Sequence, residues 1–216
     1  MSARAHGTAT EGKMHRRCSQ LQHFIDVTQQ AIAARVAPSD RAGQACGRIF
    51  SALETPQAEQ SPARSAGPPA HRHLTVALEA AASGPAAAAK LAMALAAIEP
   101  RLCWQRRPGA ERMPMDFADG HANAVVVGDG GLEQRSDVRI GVSLMAPNIQ
   151  YPDHRHPPEE VYVALSPGHW RQEARAWHEP GPGGVVYNEP NVIHAMRSTQ
   201  VPLLAVWCLW VGADQA

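Results

Sequence analysis

The sequence predicts a mainly β protein: a small antiparallel β-barrel or jelly roll carrying an α-helical N-terminal region. Three observations point there. Apolar residues recur at helical spacing through much of the first hundred positions. After Pro100 the texture switches to short runs of Val, Ile, Leu and Trp separated by Gly, Pro, Asn and Asp. Polar chemistry is concentrated in one later stretch, YPDHRHPPEEVYVALSPG at residues 151–168. With 216 residues the chain can bury a sizeable core, and one main domain with an appendage is expected.

Taken in order, residues 1–17 are polar and read as a loose tail. Leu21, Phe24, Ile25, Thr28, Ile32 and Val36 then predict a helix from Ser19 to about Val36, with Ser19 and Gln22 as a capping box. Ala42, Ala45, Ile49, Phe50 and Leu53 predict a second helix between Asp40 and Glu54. TPQAEQSPARSAGPPA, from Thr55 to Ala70, is too poor in apolar surface to order itself and reads as a loop; the linker extends to residue 73. Helices over Leu74 to Ala82 and Pro85 to Ile98 follow, the second opened by a proline and stopped by Pro100. Residues 1–100 thus form the helical N-terminal region and 101–216 the β domain. Its strand candidates are RLCWQ, NAVVVG, VRIGVSLMA, EVYVALS, HWRQEARAW, GVVYN and PLLAVWCLWVG.

Composition narrows the function. Lys and Arg total 20 against 20 Asp and Glu, so the chain lacks the basic excess that recruits nucleic acid or an anionic membrane surface. The four cysteines are far apart with no Cys-x-x-Cys pair, which argues for reduced thiols over a zinc knuckle or a dithiol site. No basic segment with an apolar core opens the sequence, and no run of about 18 apolar residues appears. A cytoplasmic protein acting on a small molecule, without nucleic-acid or membrane partners, is expected.

The candidate site starts from His154 and His156, two apart and so on one face of an extended strand. Glu160 and Tyr162 keep the same parity, although Pro157 and Pro158 interrupt strand geometry. GVVYNEPNVIHAMRS supplies His194 from a turn between two apolar runs. Three imidazoles and a carboxylate suit one divalent transition metal ion, Fe2+, Zn2+, Mn2+, Ni2+ or Co2+, with positions left for water or substrate. Of the remaining histidines, His71, His73, His121, His169 and His178 read as surface residues, with His178 a candidate to support a ligand. Glu159 reads as a solvated neighbour of Glu160. Trp207 and Trp210 fall on opposite faces of a final strand, so at least one belongs to the core.

These residues resemble the cupin family, whose His-x-His-x(3,4)-Glu and glycine, followed by a Gly, Pro, His motif, match His154, His156, Glu160 and Gly168, then Gly184, Pro190 and His194. The second motif lacks the glycine after its proline and runs one residue short. The resemblance implies a cupin jelly-roll barrel over residues 101–216 and a homodimer. YPDHRHPPEEVYVALSPG, YNEPNVIHAMRS and PLLAVWCLW are similar, more narrowly, to the cupin-type dimethylsulfoniopropionate lyases. That likeness implies a metal-dependent carbon–sulfur lyase releasing dimethyl sulfide and acrylate by β-elimination. It places metal ligands at His154, His156, Glu160 and His194 and catalytic tyrosines at Tyr151 and Tyr162.

The chemistry needs a base, an electrophile and a pocket that tolerates a sulfonium. A phenol beside a cation serves as the base, with Tyr151 favoured and Tyr162 placed next to the metal. Tyr187, Trp207 and Trp210 are candidates for an aromatic wall facing the onium group, and Arg197 for a carboxylate anchor. Two other readings share the ligands: a dioxygenase or isomerase acting on another small acid, and a non-catalytic cupin that binds a small ligand.

Overall fold

The computed structural model describes residues 15–63 and 67–212. Most of the expected loose tail lies outside these residues, but its last member is anchored. Arg17 pairs with the fully buried Glu133, and its Nη1 donates to the Leu53 carbonyl at 2.6 Å.

Four helices come first: α1 (Ser19–Ala33), α2 (Arg41–Leu53), α3 (Leu74–Ala82) and α4 (Ala86–Ile98). The apolar stripes read from the sequence are the buried faces, Leu21, Phe24, Ile25, Thr28 and Ile32 on α1 among them. The capping box does not form. Cys18 takes the cap and Ser19 is already helical, while the Gln22 amide donates to Asp26 at 2.7 Å. α1 also stops short of Val36. The Pro-rich segment after α2 is pinned to the β region: Gln60 N–H donates to the Leu132 carbonyl at 2.7 Å, and Glu59 pairs with Arg101 at 2.9 Å. A 3-10 turn, Pro69–His73, closes it.

The strands are β1 (Trp104–Gln105), β2 (His121–Val127), β3 (Val138–Met145), β4 (Gln150–His154), β5 (Glu159–Ala164), β6 (Gly168–Gln172), β7 (Val185–Asn188), β8 (His194–Ser198) and β9 (Leu203–Trp210). A short helix, α5 (Met115–Gly120), sits between β1 and β2. β8 arises where only a turn was expected, and α5 was not foreseen. All pairings are antiparallel, in a six-stranded sheet ordered β1-β2-β3-β9-β5-β7 and a three-stranded sheet ordered β4-β8-β6. The two sheets form the walls of a jelly roll without closing into one continuous hydrogen-bonded barrel.

Period-two alternation assigns the large sheet's faces. On β5 and β9, Val161, Val163, Leu204, Val206 and Cys208 join the α1–α4 side chains in one apolar core. Tyr162, Ala164, Leu203, Ala205 and Trp207 point the other way, onto Tyr151, Trp170 and Met196 of the small sheet. The helices therefore back the large sheet, and the site lies between the sheets. Trp207 and Trp210 take opposite faces as their spacing requires. Among the described residues none of the four cysteines forms a disulfide. Among the described residues no helix is long and apolar enough to cross a membrane.

Candidate metal centre and its cavity

Both sheets contribute ligand candidates. His154 ends β4 and pairs in register with His194, the first residue of β8. Glu160 comes from β5 on the facing sheet, so residues 155–158, with their two prolines, cross between the walls. The expectation that one strand and its turn would carry His154, His156 and Glu160 is thereby corrected. A register shift between Tyr151 and His154 matters as much. Three positions apart on a regular strand they would face oppositely, and the irregularity turns both inward.

The imidazole rings of His154 and His194 stand 4.1 Å apart, those of His156 and His194 5.0 Å. One nitrogen from each of the three histidines falls within 4.8 Å of the others. Glu160 Oε2 lies 3.4 Å from Nε2 of both His156 and His194 and accepts a bond from Asn188 Nδ2 at 2.9 Å. Gln172 in turn donates to Asn188 Oδ1 at 2.8 Å.

Backbone contacts fix the tautomers. Nδ1 of His154, His156 and His194 faces the carbonyl of Pro152, Pro158 and Val192 at 2.9, 2.8 and 3.0 Å. A carbonyl only accepts, so each Nδ1 carries the proton and each Nε2 keeps a lone pair. His194 Nε2 is sealed from solvent with no hydrogen bond. Lone pairs facing a carboxylate in a buried site call for a cation, and the donor set fits a divalent transition metal.

Electrostatics agree. Burial works to protonate Glu160, yet the adjoining His156 and His194 outweigh it and hold the carboxyl well below the usual range. Burial carries His154 down to about 3, helped by the neighbouring His194. His156 is raised, because Glu160 overcomes the cost of burying its charge.

Both expected tyrosines join His154, His156 and Glu160 around a cavity of about 160 Å³. That is below the roughly 300–1,000 Å³ of sites for drug-sized ligands and suits a small molecule. The Tyr151 ring stands 4.1 Å from that of His154 and packs edge-on to Phe117 and His121. Burial pushes its phenol up, with Arg107 opposing. Tyr162 is pushed up as well, by burial and then by Glu160. Trp207 lines the cavity, with Arg139 over its ring at 5.9 Å.

The other expected substrate-binding residues lie elsewhere, for reasons of parity. Tyr187 pairs with Val161 and shares its helix-facing side, where its hydroxyl donates to Glu159 Oε2 at 2.9 Å. Burial and Glu159 push this phenol up to about 12. Trp210 packs on the helical core. Arg197, one residue out of phase with the inward Met196, stacks over Trp177 at 4.6 Å.

Three further expectations change. Glu159 is buried and paired with Arg48 of α2. His178 is exposed and joins Trp170 through backbone bonds only, so it supports no ligand. His121 is fully buried rather than on the surface. Sequence reasoning missed Arg107, Asn123 and Ser143 on the cavity wall and Asn188 behind Glu160. Their signal is tertiary, apart from the Pro-Gly turn that follows Arg107.

Comparison with known proteins adds the family. A family model described as dimethylsulfoniopropionate lyase matches residues 42–205. DddL of Cereibacter sphaeroides, which carries the dimethylsulfoniopropionate lyase name, is 28% identical over 148 residues, 68% of this chain and 61% of that protein. Dimethylsulfoniopropionate lyase DddQ of Ruegeria pomeroyi is 30% identical over 110 residues, 50% of this chain and 54% of that protein. The matches thus span little more than half the length of these curated relatives. The crystal structure of the Ruegeria pomeroyi DddQ superposes with a TM-score of 0.68 at 25% identity, covering 91% of this chain and 94% of the other. A structure from work on the lyases RdDddP and RnDddQII gives 0.64 at 18% identity over 90% and 93%, a likeness of fold.

Proposed function

The chain belongs to the dimethylsulfoniopropionate lyase family, and on that premise we propose that it cleaves dimethylsulfoniopropionate to dimethyl sulfide and acrylate at the centre built by His154, His156, Glu160 and His194. The observation that carries this reading is the convergence of those four side chains, three of which line one small cavity together with two buried tyrosines. A divalent metal held there would act as a Lewis acid, drawing off the negative charge that develops on the substrate carboxylate.

The protein's own groups supply the rest. In the elimination a base takes the proton from the carbon beside the carboxylate, the new double bond forms, and the carbon–sulfur electron pair leaves with neutral dimethyl sulfide. That leaving group needs no acid. Tyr151 is the base, because its neighbour is the cation Arg107, 5.3 Å from the ring centre, which favours a phenolate. Tyr162 stands beside Glu160, whose charge opposes ionisation, so it serves to position substrate and ligand. Trp207 offers its ring to the sulfonium, an attraction worth about 0.5–2 kcal/mol.

Tyr151→Phe is expected to lower kcat roughly 10²- to 10⁴-fold with metal content unchanged, and Tyr162→Phe to act less on kcat than on KM. Full turnover in both variants refutes tyrosine catalysis.

A further inference from the structure

Arg107 belongs to no motif, yet it reaches the site. It follows β1 and opens the corner Arg107-Pro108-Gly109-Ala110. The Ala110 N–H donates to the Arg107 carbonyl at 3.1 Å, and Gly109 adopts φ 81°, ψ 6°. This is the geometry of a type II turn, in which proline presets the second residue and glycine accepts the positive φ of the third. The corner is therefore stiff, and it carries the arginine side chain over the cavity, where Arg107 and Pro108 both line the wall.

The guanidinium has a donor to spare. Its Nη1 is shut off from solvent and has no hydrogen-bond partner, and no Asp or Glu forms an ion pair with Arg107 among the described residues. A permanently charged group with a buried, unpaired N–H is unfavourable until an acceptor arrives. The Tyr151 phenol meets the guanidinium but leaves Nη1 unpaired, and Glu160 is already engaged by Asn188. Arg139, the other cation on the wall, is exposed and lies over Trp207.

We propose that Arg107 binds the carboxylate of the substrate and so sets which small acids the cavity accepts. The inference rests on reading the cavity as the site for an onium acid. A guanidinium fork matches a carboxylate through paired N–H donors, whereas an ammonium matches it as a point charge. Its charge also turns the sulfonium end away, so one residue fixes both position and polarity of a zwitterion. Tyr151 beside it then faces the carbon next to the anchored carboxylate.

Calorimetric titration of the metal-loaded protein with propionate, and with propionamide as the uncharged control, tests this without needing turnover. The wild type is expected to prefer propionate. Arg107→Gln weakens propionate binding roughly 10- to 100-fold at unchanged metal content and melting temperature, and Arg107→Lys recovers part of it. In turnover the same variant raises KM by a larger factor than it lowers kcat. Equal propionate binding in wild type and Arg107→Gln, no propionate binding by the wild type, or loss of metal along with binding overturns the anchor. The two readings separate cleanly. Arg107-dependent propionate binding without dimethyl sulfide release refutes the lyase and leaves the anchor, while release with an unchanged KM in Arg107→Gln refutes the anchor alone.

Discussion

His121 is sealed between Phe117, stacked on it at 4.9 Å, and Tyr151, and neither ring nitrogen has a hydrogen-bond partner. Burial, with Arg107 nearby, pushes its basicity down to about 3. In the unfolded chain the ring takes a proton below about 6.5. Unfolding therefore binds a proton between those values: the stability this neutral ring supports is complete above pH 6.5 and drains away as the pH falls toward 3. His121→Phe should flatten that part of the stability profile, and chemical denaturation at pH 7 and pH 4.5 checks it; an unchanged pH slope contradicts the assignment. A second prediction concerns Asn188, buried behind the carboxylate. Asn188→Leu removes the bond that orients Glu160 and is expected to weaken metal affinity roughly 10- to 100-fold, read by competition with a chelator. Unchanged affinity would show that Glu160 needs no such support. At this scale the cluster was legible because His154, His156 and Glu160 sit close in sequence at telling intervals. Arg107, His121 and Asn188 were not, since their surroundings come from other strands.

Among the elements, the helices followed from periodicity because each has one face in a core, and the long strands from apolar runs between turn residues because both faces of the large sheet are covered. β8 did not announce itself. His194 and Arg197 break its apolar run, and its place is set by pairing with β4 and β6. β4 in turn needs its register shift to aim both Tyr151 and His154 inward, which no spacing rule reveals. Across β3 and β9, Gly141 pairs with Trp207. A Cβ at Gly141 would fall inside contact distance of both the Trp207 indole and the Ala124 carbonyl. Gly141→Ala should thus cost about 1–3 kcal/mol of stability and displace the Trp207 ring from the cavity wall. Denaturant unfolding and tryptophan fluorescence measure the two effects, and a variant as stable as the parent would mean the indole sits elsewhere.

At the scale of the molecule, α1–α4 share one apolar core with the large sheet. Arg48 of α2 also pairs with Glu159, next to the proposed ligand Glu160. The helical and β regions were legible separately, but their fusion was not, because which helix faces cover the sheet depends on side chains far apart in sequence. Calorimetric unfolding is expected to show one cooperative transition whose midpoint rises with added metal, whereas two separable transitions would contradict a common core. The most direct test of the whole account is gas chromatography of the headspace above metal-loaded protein given dimethylsulfoniopropionate, run beside His194→Ala. The account predicts dimethyl sulfide from the parent and almost none from the variant or from chelator-treated protein. Equal release from all three, or none from the fully loaded parent, would contradict it.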